Sequence, residues 1–237
     1  NEIKQVLDFE NNIIDITNNT LYPIDYLHKS GKYNEEESMI LYNIELSSKL
    51  PINIRKNIIT SINKKNIIKV LNNKAVDIDV FSLVNIKLKK PKTKNISYNK
   101  KITLGYNSFY PNKLVAESIK NDLKLKNYKV ELKEYSFDDY GLNNYDINIV
   151  LNYFEFYNPL YFYESKYFQT IMEKDKSYFF MLNLYKASGT NIILKQIYKK
   201  FRKKYLKETL ITMKSRYLTN LKTRRFSFLS LNYDIFE

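Results

Sequence analysis

A chain of 237 residues, 44% of them hydrophobic, holds enough apolar material to bury a core as one large or two small domains, which sets it apart from disordered chains. The absence of cysteine excludes disulfides, thiolate metal sites and a thiol nucleophile; the single histidine, His28, falls short of the usual imidazole metal site, and any Ser-His-Asp relay would have to be built around it. A net charge of +14 points toward phosphate-bearing partners, yet Lys outnumbers Arg 34 to 5 while Ala and Gly are scarce, as in a very A+T-rich coding sequence, so charge alone names no partner.

Taken in chain order, residues 11–17 read as a turn and a short strand through Ile13, Ile14 and Ile16, and Met39 to Ile44 as a second apolar strand. Pro51 interrupts the chain, after which Ile54, Ile58, Ile62, Ile67, Ile68 and Leu71 recur at helical spacing. This predicts one helix, or two joined near Asn63, with Asn53 available as an N-cap. The Lys-rich stretch 87–99 with Pro91 reads as an exposed loop. The clearest unit follows: Ile102, Leu104 and Tyr106 alternate as a strand, Pro111 opens a helix with Leu114, Val115, Ile119 and Leu123 on one stripe, and Tyr128, Val130 and Leu132 alternate as the next strand. Ile147, Ile149 and Leu151 form another. That order predicts a βαβ unit and a partly parallel sheet. Further on, Leu194, Tyr198, Phe201 and Tyr205 share a helical face with Lys195, Lys199, Lys203 and Lys207 largely on others, and residues 223–236 read as extended. No apolar run approaches the roughly 20 residues that span a bilayer; the nearest is the short cluster Tyr178 to Leu184.

Four features invite a chemical reading. The stretch Asn152, Tyr153, Phe154, Glu155, Phe156, Tyr157, Asn158, Pro159 follows a strand directly, and ligands meet open α/β sheets at the carboxyl ends of strands. A carboxylate among aromatic walls there holds a cationic group strongly, because water and its screening are excluded. The local pattern alone favours the other reading, in which the aromatics are core or interface packing and Glu155 is a solvated side chain. The basic segment 191–225, with twelve Lys and Arg against the single acid Glu208, reads either as a track for phosphates or an anionic surface, or as the wet face of an amphipathic helix; the aromatic inner stripe favours the second. The acid pairs Asp77 with Asp79 and Asp138 with Asp139 lack further ligands at a metal-binding spacing and read as a strand edge and a helix start. His28, in a polar setting near Tyr26 and Lys29, reads as a surface residue. No phosphate-binding glycine loop, nucleophile elbow or zinc-protease motif is present, so no reaction and no cofactor are expected.

Three stretches, in order, resemble the family 5 extracellular solute-binding proteins, the group that includes oligopeptide-, dipeptide- and nickel-binding proteins of ABC importers. Asn53 to Lys64, followed by Ile67 and Ile68, resembles the family's helix reading Asp, Val, Arg, any, Ala, Leu, then Ala, Ile, Asp, Arg; Arg55, Ile58, Ile62 and Lys64 match, while Asn57, Ser61 and Asn63 depart. Upstream, Asn12 to Ile16 resembles the Gly, Glu, Ile, Asp segment, and Leu41, Tyr42 and Asn43 the strand that crosses into the second lobe. Downstream, Glu155, Phe156, Tyr157, Asn158, Pro159 resembles Asp, Tyr, any, Asp or Glu, Pro.

The resemblance implies an α/β, type II periplasmic-binding-protein-like lobe with a mixed sheet flanked by helices, plus remnants of a first lobe, corresponding to the carboxy-terminal half of a family member. Residues 1–43 would end the first lobe, 44–215 would form the second, and 216–237 would return to the first, the two lobes closing by a hinge. It assigns a ligand ammonium to Glu155, places Tyr153 and Phe154 beside the ligand backbone with Phe156 in the same motif, and puts Asn152 where Trp is common. It implies a peptide or comparable solute as ligand, an ABC permease and an amino-terminal lobe as partners, an anchor outside this chain as in a lipoprotein, and a place in the periplasm or on the outer face of the membrane. Two alternatives stand beside it: the ligand-sensing lobe of a transcriptional regulator, and direct binding of nucleic acid or an anionic surface through 191–225, the latter disfavoured by the helix-face reading.

Overall fold

The computed structural model describes residues 2–17, 34–72, 74–77, 96, 98–136, 145–153 and 175–220. Among them, helix α1 (Glu2–Glu10) is followed by the long strand β1 (Asn34–Leu46), helices α2 (Ile52–Ser61) and α3 (Lys64–Val70), and the short β2 (Ala75–Val76). The βαβ unit expected from the periodicity is present as β3 (Ile102–Asn107), α4 (Asn112–Lys124) and β4 (Val130–Tyr135), and β5 (Ile147–Tyr153) follows it. A helical hairpin, α5 (Lys176–Ser188) and α6 (Asn191–Arg202), leads into the last strand, β6 (Lys207–Tyr217).

These strands form one six-stranded mixed sheet in the order β2-β6-β1-β5-β3-β4. The half built from β5, β3 and β4 is parallel, because α4 carries the chain back between β3 and β4. The other half is antiparallel: β1 lies between β5 and β6, and β2 closes the edge. Bulges between Glu37 and Leu41 and between Tyr42 and Asn43 break the β1–β6 register, so the pairs Asn34–Tyr217 and Glu35–Arg216 extend the ladder past the end of β5, which stops opposite Ile40. Glu35 holds that extension, accepting from Lys214 Nζ at 2.8 Å and Arg216 Nη2 at 2.9 Å.

The sheet is two-faced. On one side Tyr42, Ile44, Leu46, Ile102, Leu104, Ile147 and Ile149 pack with Ile54, Ile58, Ile67, Val115, Ile119 and Leu123 of the three central helices into the main core. Each such side chain contributes roughly 1.5–3 kcal/mol on burial. A smaller cluster of Val6, Phe9 and Leu218 ties α1 to the segment after β6, fixed by the Ile16–Thr219 bridge and the bond from Leu218 N to Thr17 Oγ1 at 2.9 Å.

Several local expectations change. Pro51, not Asn53, precedes α2, whereas Asn63 does cap a helix, accepting from Lys65 N at 3.1 Å as α3 begins. The expected strand at Ile13 to Ile16 reduces to one bridge, because residues 11–13 turn the chain out of α1, with Asn12 at φ 55°. Tyr205 does not continue the inner stripe of α6: the helix ends at Arg202 and Tyr205 takes φ 49°, which breaks the 3.6-residue phase, and Ile197 completes the buried face instead. The basic stretch after α6 is the strand β6, inserted between β2 and β1. Most of 87–99, and all of 223–236, lie outside the described residues.

Candidate ligand site at the carboxyl ends of the parallel strands

The second face of the sheet carries polar side chains where the strand alternation demands them. The register sets Thr103, Gly105 and Asn107 of β3 on the same face as Asn148 and Asn152 of β5, Asn43 and Glu45 of β1, and Lys207 and Thr209 of β6. Four of these are joined to Asn152 through one network. Lys207 Nζ donates to Glu45 Oε1 at 2.8 Å and to Asn152 Oδ1 at 2.9 Å, although the Lys207 side chain is only 1% exposed. Asn43 Nδ2 donates to the same Asn152 oxygen at 2.9 Å and to the Leu41 carbonyl at 3.2 Å, while Asn43 Oδ1 accepts from Thr209 Oγ1 at 2.7 Å. A buried charge is tolerable only when paired and bonded in this way.

At the carboxyl end of β3 the chain turns through Ser108, Phe109, Tyr110 and Pro111 into α4, with a cis bond between Tyr110 and Pro111. Asn107 Oδ1 accepts from Phe109 N at 2.9 Å, which shapes the turn, but Asn107 Nδ2 is buried without a hydrogen-bond partner among the described residues. The amide of Asn112, wholly buried in the first turn of α4, has neither its nitrogen nor its oxygen bonded there. Leaving such a group unpaired costs about 1–3 kcal/mol, so a concentration of them at one end of the sheet is unusual. Phe109 and Tyr110 beside them are exposed by 55% and 40%. Buried donors beneath exposed aromatics are the composition of a recognition crevice. It lies where open α/β sheets take their ligands, since α4 carries the chain from β3 away from β5 and opens the space between those two strand ends.

Of the residues singled out from sequence, Asn152 and Tyr153 end β5 at this same edge, with Tyr153 opposite Ile40. Phe154, Glu155 and Phe156 lie outside the described residues, as do His28, Asp79, Asp138 and Asp139. Asp77 pairs with Lys64 at 3.0 Å, and no cluster of three metal-ligating side chains occurs among the described residues. Sequence reasoning missed Asn107, Asn112 and the network around Asn152. Asn43 and Asn107 do stand at the polar positions of apolar alternations, a signal that marks the second face but not its burial.

Five of the nine described cations of the basic segment are answered from within the protein. Lys200 and Lys204 face Asp175 at 2.7 and 3.5 Å, holding its carboxyl well below the usual range, Lys207 pairs with Glu45, and Lys214 and Arg216 pair with Glu35. Elsewhere a groove of about 470 Å³ runs between α3 and α4, lined by Lys69, Val70, Leu114 and Asp122, but the Asp122 carboxylate is already taken by Asn63 N at 2.7 Å and Asn66 Nδ2 at 2.6 Å.

No family model and no curated protein matches the sequence. The fold does have counterparts among solved structures. NikA from Brucella suis, in complex with Fe(III)-EDTA, superposes with a TM-score of 0.72 at 17% identity over 96% of this chain and 57% of its own. An ABC transporter substrate-binding protein from Sinorhizobium meliloti gives 0.69 at 13% identity, over 100% of this chain and 60% of its own. This chain has the substrate-binding-protein fold. The oligopeptide-binding protein AppA from Bacillus subtilis, in complex with a nonapeptide, gives 0.67 at 13% identity over 90% of this chain and 53% of its own. The substrate-binding-protein fold is thus represented here over nearly the whole chain, which spans between half and three-fifths of the length of these proteins. The family resemblance read from the sequence and the fold of these structures agree.

Proposed function

We propose that this chain is a solute-binding lobe serving an ABC importer, and that it takes a peptide or similar solute at the carboxyl ends of β3 and β5 rather than catalysing a reaction. The observation that carries this reading is the coincidence of two things at one sheet edge: buried amides without partners at Asn107 and Asn112, and the start of the aromatic, acidic stretch that follows Asn152 and Tyr153. Glu155 is assigned the ligand's ammonium group, with Tyr153, Phe154 and Phe156 beside the ligand. A carboxylate screened from water by aromatic walls favours a cation.

In this reading the lobe spans residues 44–215, residues 1–43 and 216–237 belong with a first lobe, and the paired extension of β1 and β6 past β5 is the connection between them. A further lobe supplies the opposite wall of the cleft, a permease receives the solute, and the protein works at the outer face of the membrane or in the periplasm. Titration calorimetry with trialanine tests the reading. Wild-type chain is expected to bind, and Glu155→Gln to weaken binding by about 1.5–3 kcal/mol, the worth of a charge-assisted hydrogen bond. Equal affinity in the two proteins removes Glu155 from the site, and no binding of trialanine to the chain joined by the lobe that supplies the opposite wall removes the peptide.

A further inference from the structure

The amides of Asn107 and Asn152 share an arrangement that the transport reading does not require. Each has its oxygen engaged by the protein: Asn107 Oδ1 by Phe109 N, and Asn152 Oδ1 by both Lys207 Nζ and Asn43 Nδ2. Each therefore has its orientation set, and each is left with an Nδ2 that makes no hydrogen bond among the described residues. The two stand on adjacent strands and on the same face. The last β3–β5 pair is Gly105–Asn148, so Asn107 lies two residues and Asn152 four residues beyond it toward the carboxyl ends, both on the face that carries Gly105 and Asn148. Two amide donors on one face, near the ends of adjacent strands, suit a single acceptor lying between those ends.

We propose that Asn107 and Asn152 form a paired donor site for a neutral carbonyl oxygen of the ligand, such as a backbone carbonyl of a peptide. The inference rests on the binding site proposed above and names the ligand group read at its sheet face. The charge balance selects the acceptor. An anion placed here needs an uncommitted cation, but the ammonium beside Asn152 belongs to Lys207 and is already neutralised by Glu45 at 2.8 Å. Two neutral donors beside a Lys207–Glu45 pair that carries no net charge match a carbonyl, whose lone pairs take two N–H groups without importing charge. Asn43, Lys207 and Glu45 are then positioning residues, which keep the Asn152 amide from turning its oxygen toward the ligand.

The test uses the ¹⁵N-labelled chain and follows side-chain amide signals, assigned by their disappearance in Asn107→Asp and Asn152→Asp. Both substitutions keep an oxygen where the protein uses one and replace the free donor with a second carboxylate oxygen, which also adds a negative charge. N-methylacetamide, as a carbonyl without a carboxylate, is expected to shift both amide signals, sodium acetate to shift neither, and trialanine and trialaninamide to shift both alike. By calorimetry, each Asp variant is expected to bind trialanine at least tenfold more weakly than wild type. Unmoved signals with N-methylacetamide and trialanine overturn the donor pair, since the amides then face bound water, and a larger response to acetate overturns the neutral acceptor. If N-methylacetamide shifts the signals while trialanine leaves the chain unbound even when joined by the opposite lobe, the donor pair stands and the peptide reading falls. The titrations of wild-type protein decide the matter even where a variant fails to fold.

Discussion

Lys207 is a long cationic side chain almost entirely out of solvent, and Glu45 beside it is 9% exposed, so neither charge has water to fall back on. Removing one partner strands the other, whereas removing both replaces the pair with packing. Lys207→Met is therefore expected to cost about 3–5 kcal/mol in urea denaturation, and the double variant Glu45→Gln with Lys207→Met to recover most of that loss; equal destabilisation of single and double variants would show that the ammonium serves Asn152 more than Glu45. Residue by residue, much of this site was hidden from sequence. Lys207 reads as one more lysine in a basic run, and nothing local distinguishes it from Lys203. Its partners arrive from strands 55 and more residues away, so its burial is a property of the sheet rather than of its neighbours in the chain.

At the scale of elements, the parallel unit was legible because its pattern is short-ranged: alternation in β3, a 3.6-residue stripe in α4 and alternation again in β4 all lie within residues 102–135. Even there, β3 differs from a half-buried strand, since Gly105, Tyr106 and Asn107 are all buried. Gly105 explains one face. Tyr145 lays its ring over it, stacked at 20° on Tyr135 with 5.9 Å between centroids, and an added Cβ would collide with that ring. Gly105→Ala is accordingly expected to destabilise by about 1–3 kcal/mol, and Tyr145→Ala in the same chain to relieve part of the penalty, read from shifts in denaturation midpoint. The hairpin of α5 and α6 shows the opposite case. Its turn is set by Gly189 at φ 61°, whose N–H bonds the Tyr185 carbonyl at 2.7 Å, but its end at Arg202 was not apparent, because Tyr205 falls in helical phase with the stripe while its backbone leaves it.

For the whole molecule, burial of tyrosine and pairing of carboxylates set the pH range of stability. Burial raises Tyr106 and Tyr135 to about 12 from the ordinary value of 10.0, helped at Tyr106 by its bond to Glu134 and at Tyr135 by Tyr145 and Glu45. Above pH 10 the unfolded chain ionises these phenols while the folded one keeps them neutral, so their contribution, complete below pH 10, is expected to vanish between about pH 10 and 12. In acid the sign reverses: burial works against the Glu35 carboxylate, but Lys214 and Arg216 outweigh it and lower its value, so its contribution is lost as pH falls below the usual carboxylate range. Urea midpoints across the pH range, with tyrosinate absorbance at the alkaline end, check both limbs. By itself the sequence determined an α/β chain with a βαβ unit, an apolar helical layer and a resemblance to solute-binding proteins, because periodicity and short motifs are written over neighbouring residues. Only the tertiary structure decided that β6 enters the sheet beside β1, with Asn43 bonded to Thr209 across 166 residues, and that buried amides at Asn107 and Asn112 are left without partners at the end of β3 and the start of α4. Strand order and the sealing of a sheet face depend on contacts between distant segments, and those contacts exist only once the chain has folded.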